Sequence, residues 1–155
     1  MAPFYAPRDL RVEDAQVPEP GPQDVLVRVR ACSTCGTDAK IFEPGHPRLV
    51  PPRVIGHEVT GEVVAAGERV ADWKPGDRVQ VIAAIPCGRC ATCRRGWQTV
   101  CPDQKAIGYQ FDGGFAEYLR VPEDVLAVDG LHRIPYGVSY AEASLAEPLA
   151  CVING

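Results

Sequence analysis

The feature that most constrains this chain is a cluster of four cysteines, Cys87, Cys90, Cys93 and Cys101, within 15 residues. The spacing C-x2-C-x2-C-x7-C lets one tight loop present its sulfurs to a single point. Zn²⁺ takes four thiolates as a tetrahedron at about 2.3 Å, and four sulfurs leave no open position for chemistry. The spacing therefore predicts a structural zinc ion in a lobe of about residues 86–102.

Two disulfides, four buried thiols or a nucleic-acid-binding zinc ribbon are the alternatives for this cluster. The N-terminus lacks the basic-then-apolar pattern of a signal peptide, so we expect a cytoplasmic protein. In that compartment, clustered cysteines bind metal more often than they pair. A ribbon would carry a basic or aromatic stripe, whereas only Arg89, Arg94 and Arg95 lie nearby. Structural zinc is therefore the interpretation that the sequence favours.

Charge and hydropathy narrow the possible partners. The formal charge is −4 over 155 residues and the basic residues are scattered, so no patch suggests a nucleic acid or an anionic membrane. No stretch approaches the roughly 20 apolar residues that span a bilayer. We expect neither a nucleic-acid nor a membrane partner.

Short alternating runs dominate the first 130 residues. Between Val25 and Ala31, apolar residues alternate with Arg28 and Arg30, which is the period of a half-buried strand. Further strands are predicted at residues 54–65, 78–83, 115–121 and 125–128. Several short strands separated by turn sequences favour a β-barrel or sandwich.

The C-terminal part has helical character. Ser139 and Glu142 match the capping-box pattern at a helix start, and we expect Pro148 to kink or break the helix that follows. The chain stops at CVING without a closing cap. We therefore expect a fragment that lacks a second domain.

A second group of metal-ligand residues lies outside the lobe. Cys35 follows the clearest strand, and His57 and Glu58 open another. One thiolate, one imidazole and one carboxylate are three ligands of a catalytic zinc, which keeps its fourth position for water or substrate. The residues alone leave open that His57 and Glu58 form a hydrogen-bonded pair and that Cys35 belongs to the core.

The motif GHE-x2-G-x5-G-x2-V at residues 56–70 resembles the zinc signature of the medium-chain alcohol and polyol dehydrogenases. Other motifs match that family in the same order: CGTD at 35–38, KPGDRV at 74–79, DGGFAEY at 112–118 and EPL at 147–149. The resemblance covers nearly the whole chain.

This resemblance implies a mainly β fold with a few short helices. Residues 1–155 would form a GroES-like, partly open β-barrel catalytic domain with a zinc lobe. In complete enzymes an NAD(P)-binding Rossmann domain follows, and the chain contains no G-x-G-x-x-G motif, so we expect that domain to be absent and the fragment alone to be inactive.

The implied activity is that of a sorbitol- or threonine-type dehydrogenase. It would oxidise a secondary alcohol or polyol to a ketone with two zinc ions per chain, one catalytic and one structural, and with hydride transfer to NAD(P). The full-length protein would be a dimer or tetramer. The rival interpretation is a free-standing, zinc-stabilised GroES-like binding or scaffold module without catalysis.

The resemblance also implies roles for single residues. Cys35 and His57 would bind the catalytic zinc directly, and Glu58 would bind it or lie just behind it. Glu147 corresponds to a further acidic residue that binds zinc directly or through water. Cys151 competes for that role, because classical alcohol dehydrogenases have a cysteine in that region. Glu147 is preferred because EPLA at residues 147–150 follows the polyol branch more closely, and Cys151 is then expected to be a small buried helix residue.

Thr37 takes the position of the family's proton relay. Zinc lowers the pKa of bound water to about 7, and the proton of a bound alcohol must leave through a group within hydrogen-bond reach. A hydroxyl can accept one proton while it donates another. Asp38 is expected to orient a ligand, or else simply to form the turn at the strand end.

Four further residues have structural interpretations. Cys32 is expected to pack in the core rather than to form a redox pair with Cys35, because the chain shows no thioredoxin-like βαβ context. Trp97 is expected to pack over the zinc loop. Tyr109 and Phe111 either wall the substrate pocket or pack beneath the lobe.

Overall fold

The computed structural model describes residues 1–154. Its strands are β1 Pro3–Ala6, β2 Asp9–Leu10, β3 Val25–Ser33, β4 Arg53–Val54, β5 Glu58–Ala66, β6 Arg78–Val81, β7 Ala84–Ile85, β8 Lys105–Ala106, β9 Tyr118–Val121 and β10 Leu131–Arg133. Its helices are α1 Gly36–Phe42, α2 Ala91–Arg94, a 3₁₀ turn Gln98–Val100, α3 Glu123–Leu126, α4 Tyr140–Ser144 and α5 Ala146–Asn154. The predicted mainly β fold with a few short helices is confirmed.

A five-stranded antiparallel sheet in the order β10-β6-β5-β3-β9 forms the main layer. Its two outer strands do not pair with each other, which matches a partly open barrel. One face of the sheet buries a core of branched apolar side chains that includes Val25, Val27, Val59, Val63, Val79, Val81, Leu119 and Val121. Every strand pair within residues 1–154 is antiparallel, so this part contains no Rossmann-type parallel sheet.

The pairing of β3 with β5 matters most for the site. Ser33 at the end of β3 lies opposite Glu58 at the start of β5. The residues just beyond β3 and just before β5 are therefore neighbours in space, although they are far apart along the chain. Their separation depends on the register of this one strand pair.

A smaller sheet in the order β2-β1-β4 flanks the barrel, with a separate apolar cluster of Phe4, Ile41, Leu49 and Ile55 beneath it. Gly56 forms the turn between β4 and β5 and has a φ of +90°. A Cβ at that position would lie 2.6 Å from the Phe115 ring. Only glycine fits this turn. His57, the next residue, is the last one before β5 begins.

Three strand predictions need correction. Residues 125–128 were predicted as a strand, but Glu123–Leu126 is the short helix α3, because its first N–H donates a hydrogen bond to Asp24 Oδ1 and two acidic residues occupy its first turn. The predicted strand 54–65 is interrupted at Gly56, and strand 115–121 begins only at Tyr118. The three-residue strand β10 was not predicted, because its alternating pattern is too short to stand out.

The C-terminal helices confirm one prediction and correct another. Ser139 caps α4, and Ser139 and Glu142 form the predicted reciprocal capping box. The break falls at Leu145, however, and Pro148 lies in the first turn of α5. A proline there loses no hydrogen bond, since the first N–H groups of a helix have no intrahelical acceptor.

None of the helices within residues 1–154 is both long and apolar enough to cross a bilayer.

Candidate metal centres

The four-cysteine lobe, residues 86–102, brings its sulfurs to one point. The four Sγ atoms lie within 4.8 Å of one another. The Cys87–Cys93 and Cys90–Cys101 Sγ pairs are each 4.0 Å apart, far beyond the roughly 2.05 Å of a disulfide bond. Four sulfurs at about 2.3 Å from a central ion would be about 3.8 Å apart. The lobe therefore has the dimensions of a tetrahedral thiolate site.

Backbone N–H groups prepare these sulfurs to carry charge. Cys90 caps helix α2, and its Sγ accepts a hydrogen bond from the Cys93 N–H at 3.4 Å. The Cys101 Sγ accepts one from the Cys87 N–H at 3.3 Å. The Cys93 N–H lowers the pKa of Cys90 to about 6. Because the thiolate is the form that binds metal, the loop favours at Cys90 the charge state that zinc requires, whereas burial raises the pKa of Cys93 to about 12.

Cys35, His57 and Glu58 form the second cluster, and their ligand atoms also lie within 4.8 Å of one another. His57 and Glu58 are 7% and 3% exposed. Cys35 is the N-cap of α1, and its Sγ accepts a hydrogen bond from the Thr37 N–H at 3.4 Å. The register of β3 with β5 therefore brings together the three residues expected at the catalytic zinc.

Asp38 connects two members of this cluster. Its Oδ2 accepts a hydrogen bond from the Cys35 N–H at 2.9 Å, and its Oδ1 lies 3.6 Å from the Nδ1 atom of His57. The Asp38 carboxylate, with a smaller effect from Cys35, raises the pKa of His57 to about 9. A carboxylate beside Nδ1 orients the ring and makes the opposite nitrogen a stronger metal ligand. Asp38 thus has the position expected of an orienting residue.

The charges of this region call for a cation. Asp38 is 4% exposed and its Oδ1 has no hydrogen-bond partner. Burial, and then the charge of Glu147, raises the pKa of Glu58. Within residues 1–154, no lysine or arginine pairs with any of these three carboxylates. A thiol, an imidazole and buried carboxylates are the ligand set of Zn²⁺, so the residues present fit that ion.

Glu147 and Cys151 approach the cluster from α5. Glu147 is outside the 4.8 Å group, but its charge reaches Glu58. The Cys151 Sγ donates a hydrogen bond to Glu147 Oε1 at 3.7 Å, and the carboxylate raises the pKa of that exposed thiol. A thiol held in its protonated form is a poor ligand. Glu147 remains the predicted further ligand, and Cys151 is exposed rather than a buried residue of the helix.

Thr37 lies in the first turn of α1 beside Cys35 and is half-buried. Its backbone N–H bonds to the Cys35 sulfur. No hydrogen bond within residues 1–154 uses its hydroxyl, which leaves that group available to a substrate. The proton relay remains a prediction.

The remaining interpretations divide. Cys32 packs against the barrel core, and burial raises its pKa to about 12, as expected for a packing residue. Trp97 is 60% exposed, so the prediction that it packs over the zinc loop is wrong. Phe111 packs against the barrel core. The rings of Tyr109 and His46 pack in a T-shaped arrangement with their centroids 4.9 Å apart. Burial, and then the charge of Asp38, raises the pKa of Tyr109, so Tyr109 lies near the cluster.

Cavity volume does not mark this site. One cavity of about 400 Å³ lies between residues 13–18 and residues 110–120. Another of about 790 Å³ lies between the lobe and α3. Neither is lined by Cys35, His57 or Glu58, so the chemistry of the ligands locates the site better than its depth does.

Sequence reasoning missed three hydroxyl residues next to this cluster. Ser33, Thr60 and Ser144 lie two or three positions from Cys35, Glu58 and Glu147, and Thr60 and Ser144 are buried. Serine and threonine are common at strand ends and helix termini, so their identity carries no signal. Only their proximity to ligand residues in the sequence could have drawn attention to them.

Comparison with known proteins agrees with this geometry. Residues 21–131 match the family described as the alcohol dehydrogenase GroES-like domain. The L-threonine 3-dehydrogenase of Pyrococcus horikoshii is 41% identical over 144 residues, which are 91% of this chain and 40% of that protein. The D-altritol 5-dehydrogenase of Agrobacterium fabrum is 44% identical over 134 residues, 86% of this chain and 38% of that protein.

Solved structures show the same fold. A structural-genomics target from Sinorhizobium meliloti 1021, thought to be a zinc-binding dehydrogenase and bound to NADP, has a TM-score of 0.88 and 39% identity. The match covers 98% of this chain and 43% of that one. Galactitol-1-phosphate dehydrogenase from Escherichia coli has a TM-score of 0.87 at 27% identity, over 98% of this chain and 42% of that one.

The fold and the cluster together define a GroES-like barrel of the dehydrogenase type. The chain belongs to the medium-chain dehydrogenase/reductase family and forms its alcohol dehydrogenase GroES-like domain. It spans about 40% of the length of the curated relatives that it matches.

Proposed function

We propose that residues 1–155 are the catalytic domain of a zinc-dependent, NAD(P)-linked alcohol or polyol dehydrogenase. The observation that carries this proposal is the Cys35–His57–Glu58 cluster, with the acidic Glu147 near it and, within residues 1–154, no lysine or arginine paired with its carboxylates. The names of L-threonine 3-dehydrogenase and D-altritol 5-dehydrogenase both specify an internal carbon. They support a secondary alcohol as substrate and a ketone as product.

Cys35 and His57 would hold the catalytic zinc, together with Glu58 or Glu147. When bound, the ion acts as a Lewis acid that makes the hydroxyl of an alcohol easier to deprotonate. Asp38 holds the His57 ring in orientation, and the Thr37 hydroxyl would accept the alcohol proton and pass it on. Loss of that proton and transfer of a hydride to NAD(P)⁺ convert R₂CHOH to R₂C=O and NAD(P)H.

The nucleotide would be bound by residues outside this sequence. The chain contains no G-x-G-x-x-G motif, the structural relative bound to NADP is more than twice its length, and the curated relatives are longer in the same proportion. We propose that these 155 residues alone do not oxidise an alcohol substrate. The full-length protein would be a cytoplasmic homo-oligomer that acts on small molecules and binds neither nucleic acid nor membrane.

The four-cysteine lobe would hold the second zinc, in a structural role. Its four sulfurs leave no coordination position for substrate. The rival proposal, a scaffold module without catalysis, requires only this lobe. It gives no reason for a thiol, an imidazole and two carboxylates to be placed together at the end of β3.

Metal analysis of the His57→Ala variant tests the proposed function. The wild-type chain should contain two zinc ions, and the variant should retain only the lobe zinc because it lacks one of the three clustered ligands. His132→Ala is the matched control, since His132 is an exposed residue of β10 and its loss should leave both ions. A single zinc per wild-type chain, unaffected by His57→Ala, would favour the scaffold.

A further inference from the structure

The three segments that carry the proposed catalytic ligands are joined by hydroxyl groups just behind the cluster. Ser33 is two residues before Cys35, Thr60 is two residues after Glu58, and Ser144 is three residues before Glu147. We refer to the side chains of Ser33, Thr60 and Ser144 as the hydroxyl clamp.

The hydrogen bonds of the clamp connect β3, β5 and α4. Ser33 Oγ and Ser144 Oγ are 2.5 Å apart, and the Ser144 hydroxyl also lies 2.8 Å from the Ala141 carbonyl oxygen. Thr60 Oγ1 lies 2.9 Å from the Tyr140 carbonyl oxygen and 3.3 Å from that of Ala31. Each of the three segments is therefore bonded to at least one of the others.

Burial raises the free-energy cost of losing any of these hydrogen bonds. Thr60 is fully buried and Ser144 is 3% exposed, so water cannot replace a lost partner cheaply. A buried hydroxyl without its partner keeps its desolvation penalty. Helix α4 therefore has one favourable position against the sheet.

That position determines where Glu147 lies. Only Leu145 separates α4 from α5, and Glu147 is in the first turn of α5. Helix α5 has no buried residue of its own within 146–154. It contacts the domain through α4 and through β5, and the clamp fixes α4 against both β3 and β5.

We propose that the hydroxyl clamp is a positioning device that holds Glu147 over the Cys35–His57–Glu58 cluster. This inference rests on the proposed function, because it takes Glu147 to be a metal ligand. Ser33, Thr60 and Ser144 would act through Glu147 and would not touch the metal or the substrate themselves.

Co²⁺ binding to the 155-residue chain, with zinc retained in the lobe, tests the proposal through the affinity of the cluster. We expect Ser144→Ala to weaken Co²⁺ binding about five- to tenfold, the size of effect that follows from one lost buried hydrogen bond. In the Glu147→Gln background the same change should alter the affinity less than twofold, because the residue that it positions has already lost its charge.

Two controls separate positioning from general stability. Ser139→Ala removes the exposed cap of the same helix and should lower the melting temperature without changing Co²⁺ affinity. If Ser144→Ala does not fold, Thr60→Val and Thr60→Ser replace it. Thr60→Val removes the hydroxyl at nearly constant shape and should weaken Co²⁺ binding. Thr60→Ser keeps the hydroxyl and should bind Co²⁺ as the wild type does.

The outcomes distinguish the two proposals. Unchanged Co²⁺ affinity in Ser144→Ala and in Thr60→Val, or an equal loss with and without Glu147, would overturn the clamp. Unchanged affinity in Glu147→Gln alone would instead overturn the role of Glu147, and a wild-type chain that binds no Co²⁺ outside the lobe would overturn the proposed function itself.

Discussion

The four-cysteine lobe and the Cys35–His57–Glu58 cluster are built in opposite ways. The lobe takes all its ligands from 15 consecutive residues, so one loop conformation is enough to assemble it. The cluster joins Cys35 to His57, 22 positions later, and approaches Glu147 after a further 90. The lobe therefore depends on local geometry, whereas the cluster depends on the register of β3 with β5 and on the docking of α4.

The electrostatics of the two sites differ in the same sense. In the lobe, backbone N–H groups of the loop itself favour thiolates, and they lower the pKa of Cys90. In the cluster, the buried Asp38 carboxylate comes from α1 and acts on His57 from a separate segment. A site whose own backbone N–H groups donate hydrogen bonds to its sulfurs suits a structural ion. A site with excess buried negative charge suits an ion that keeps one coordination position open to a ligand.

The largest expected effect is the loss of the lobe in Cys93→Ser. Structural zinc contributes about 10–16 kcal/mol of apparent binding energy in small zinc peptides, so the variant should lose one zinc and residues 86–102 should lose protection from hydrogen exchange. Protection of the barrel strands and metal binding at the cluster should survive, since no cluster ligand comes from the lobe. Cys151→Ser, an exposed thiol, should leave the lobe unchanged. Unfolding of the barrel in Cys93→Ser would show that the two regions are not independent.

A smaller effect is expected when the two barrel strands are forced apart. A Cβ at Gly61 in β5 would lie 2.3 Å from the Arg28 carbonyl oxygen, so Gly61→Ala should lower the free energy of unfolding by about 1–3 kcal/mol and weaken metal binding at the cluster only. At Gly36 nothing lies within 4 Å of such a Cβ, and Gly36→Ala should stabilise the chain by about 0.4–1 kcal/mol. Urea denaturation measures both changes. Equal effects of the two variants would contradict this account.

An effect of comparable size, measured through pH dependence, is expected when Asp38 is changed. In the metal-free chain the pKa of His57 is raised from 6.5 to about 9, so the stability that this imidazolium contributes is fully present below pH 6.5 and is lost as the pH rises through about 9. Asp38→Asn keeps an acceptor for the Cys35 N–H but removes the charge. An NMR titration of the His57 ring should then give a pKa closer to 6.5, and metal affinity should fall about 10–100-fold. An unchanged His57 pKa would show that Asp38 does not act on the ring.

The strand predictions show what pattern reasoning can reach. The alternating run that begins at Val25 became β3, because one face of it is buried in the barrel core. Residues 125–128 misled the prediction, since a short apolar run has no period of its own, and the helix that forms there is capped by Asp24 from a distant segment. Pro148 misled it too, because a proline in the first turn of a helix is permitted where a proline in the interior is not.

The sites divide along the same line. The four-cysteine lobe could be predicted from spacing alone, because residues so close together in the sequence are also neighbours in space. The ligand types of the cluster were visible at Cys35, His57 and Glu58, but the residues by themselves allowed a core cysteine and a simple histidine–glutamate pair. The family motifs raised the cluster above those alternatives. The exposure of Trp97 was missed, because side-chain type does not show which face of a loop meets the solvent.

By itself, the sequence predicted the four-cysteine lobe and strand β3 from local spacing and periodicity, and the family from its resemblance in a series of ordered motifs. Only the tertiary structure decided that Asp38 faces His57 Nδ1 and that buried hydroxyls join β3, β5 and α4. The physical reason is that these contacts link residues 19 to 111 positions apart, and such distances close only when strand register and helix docking are complete.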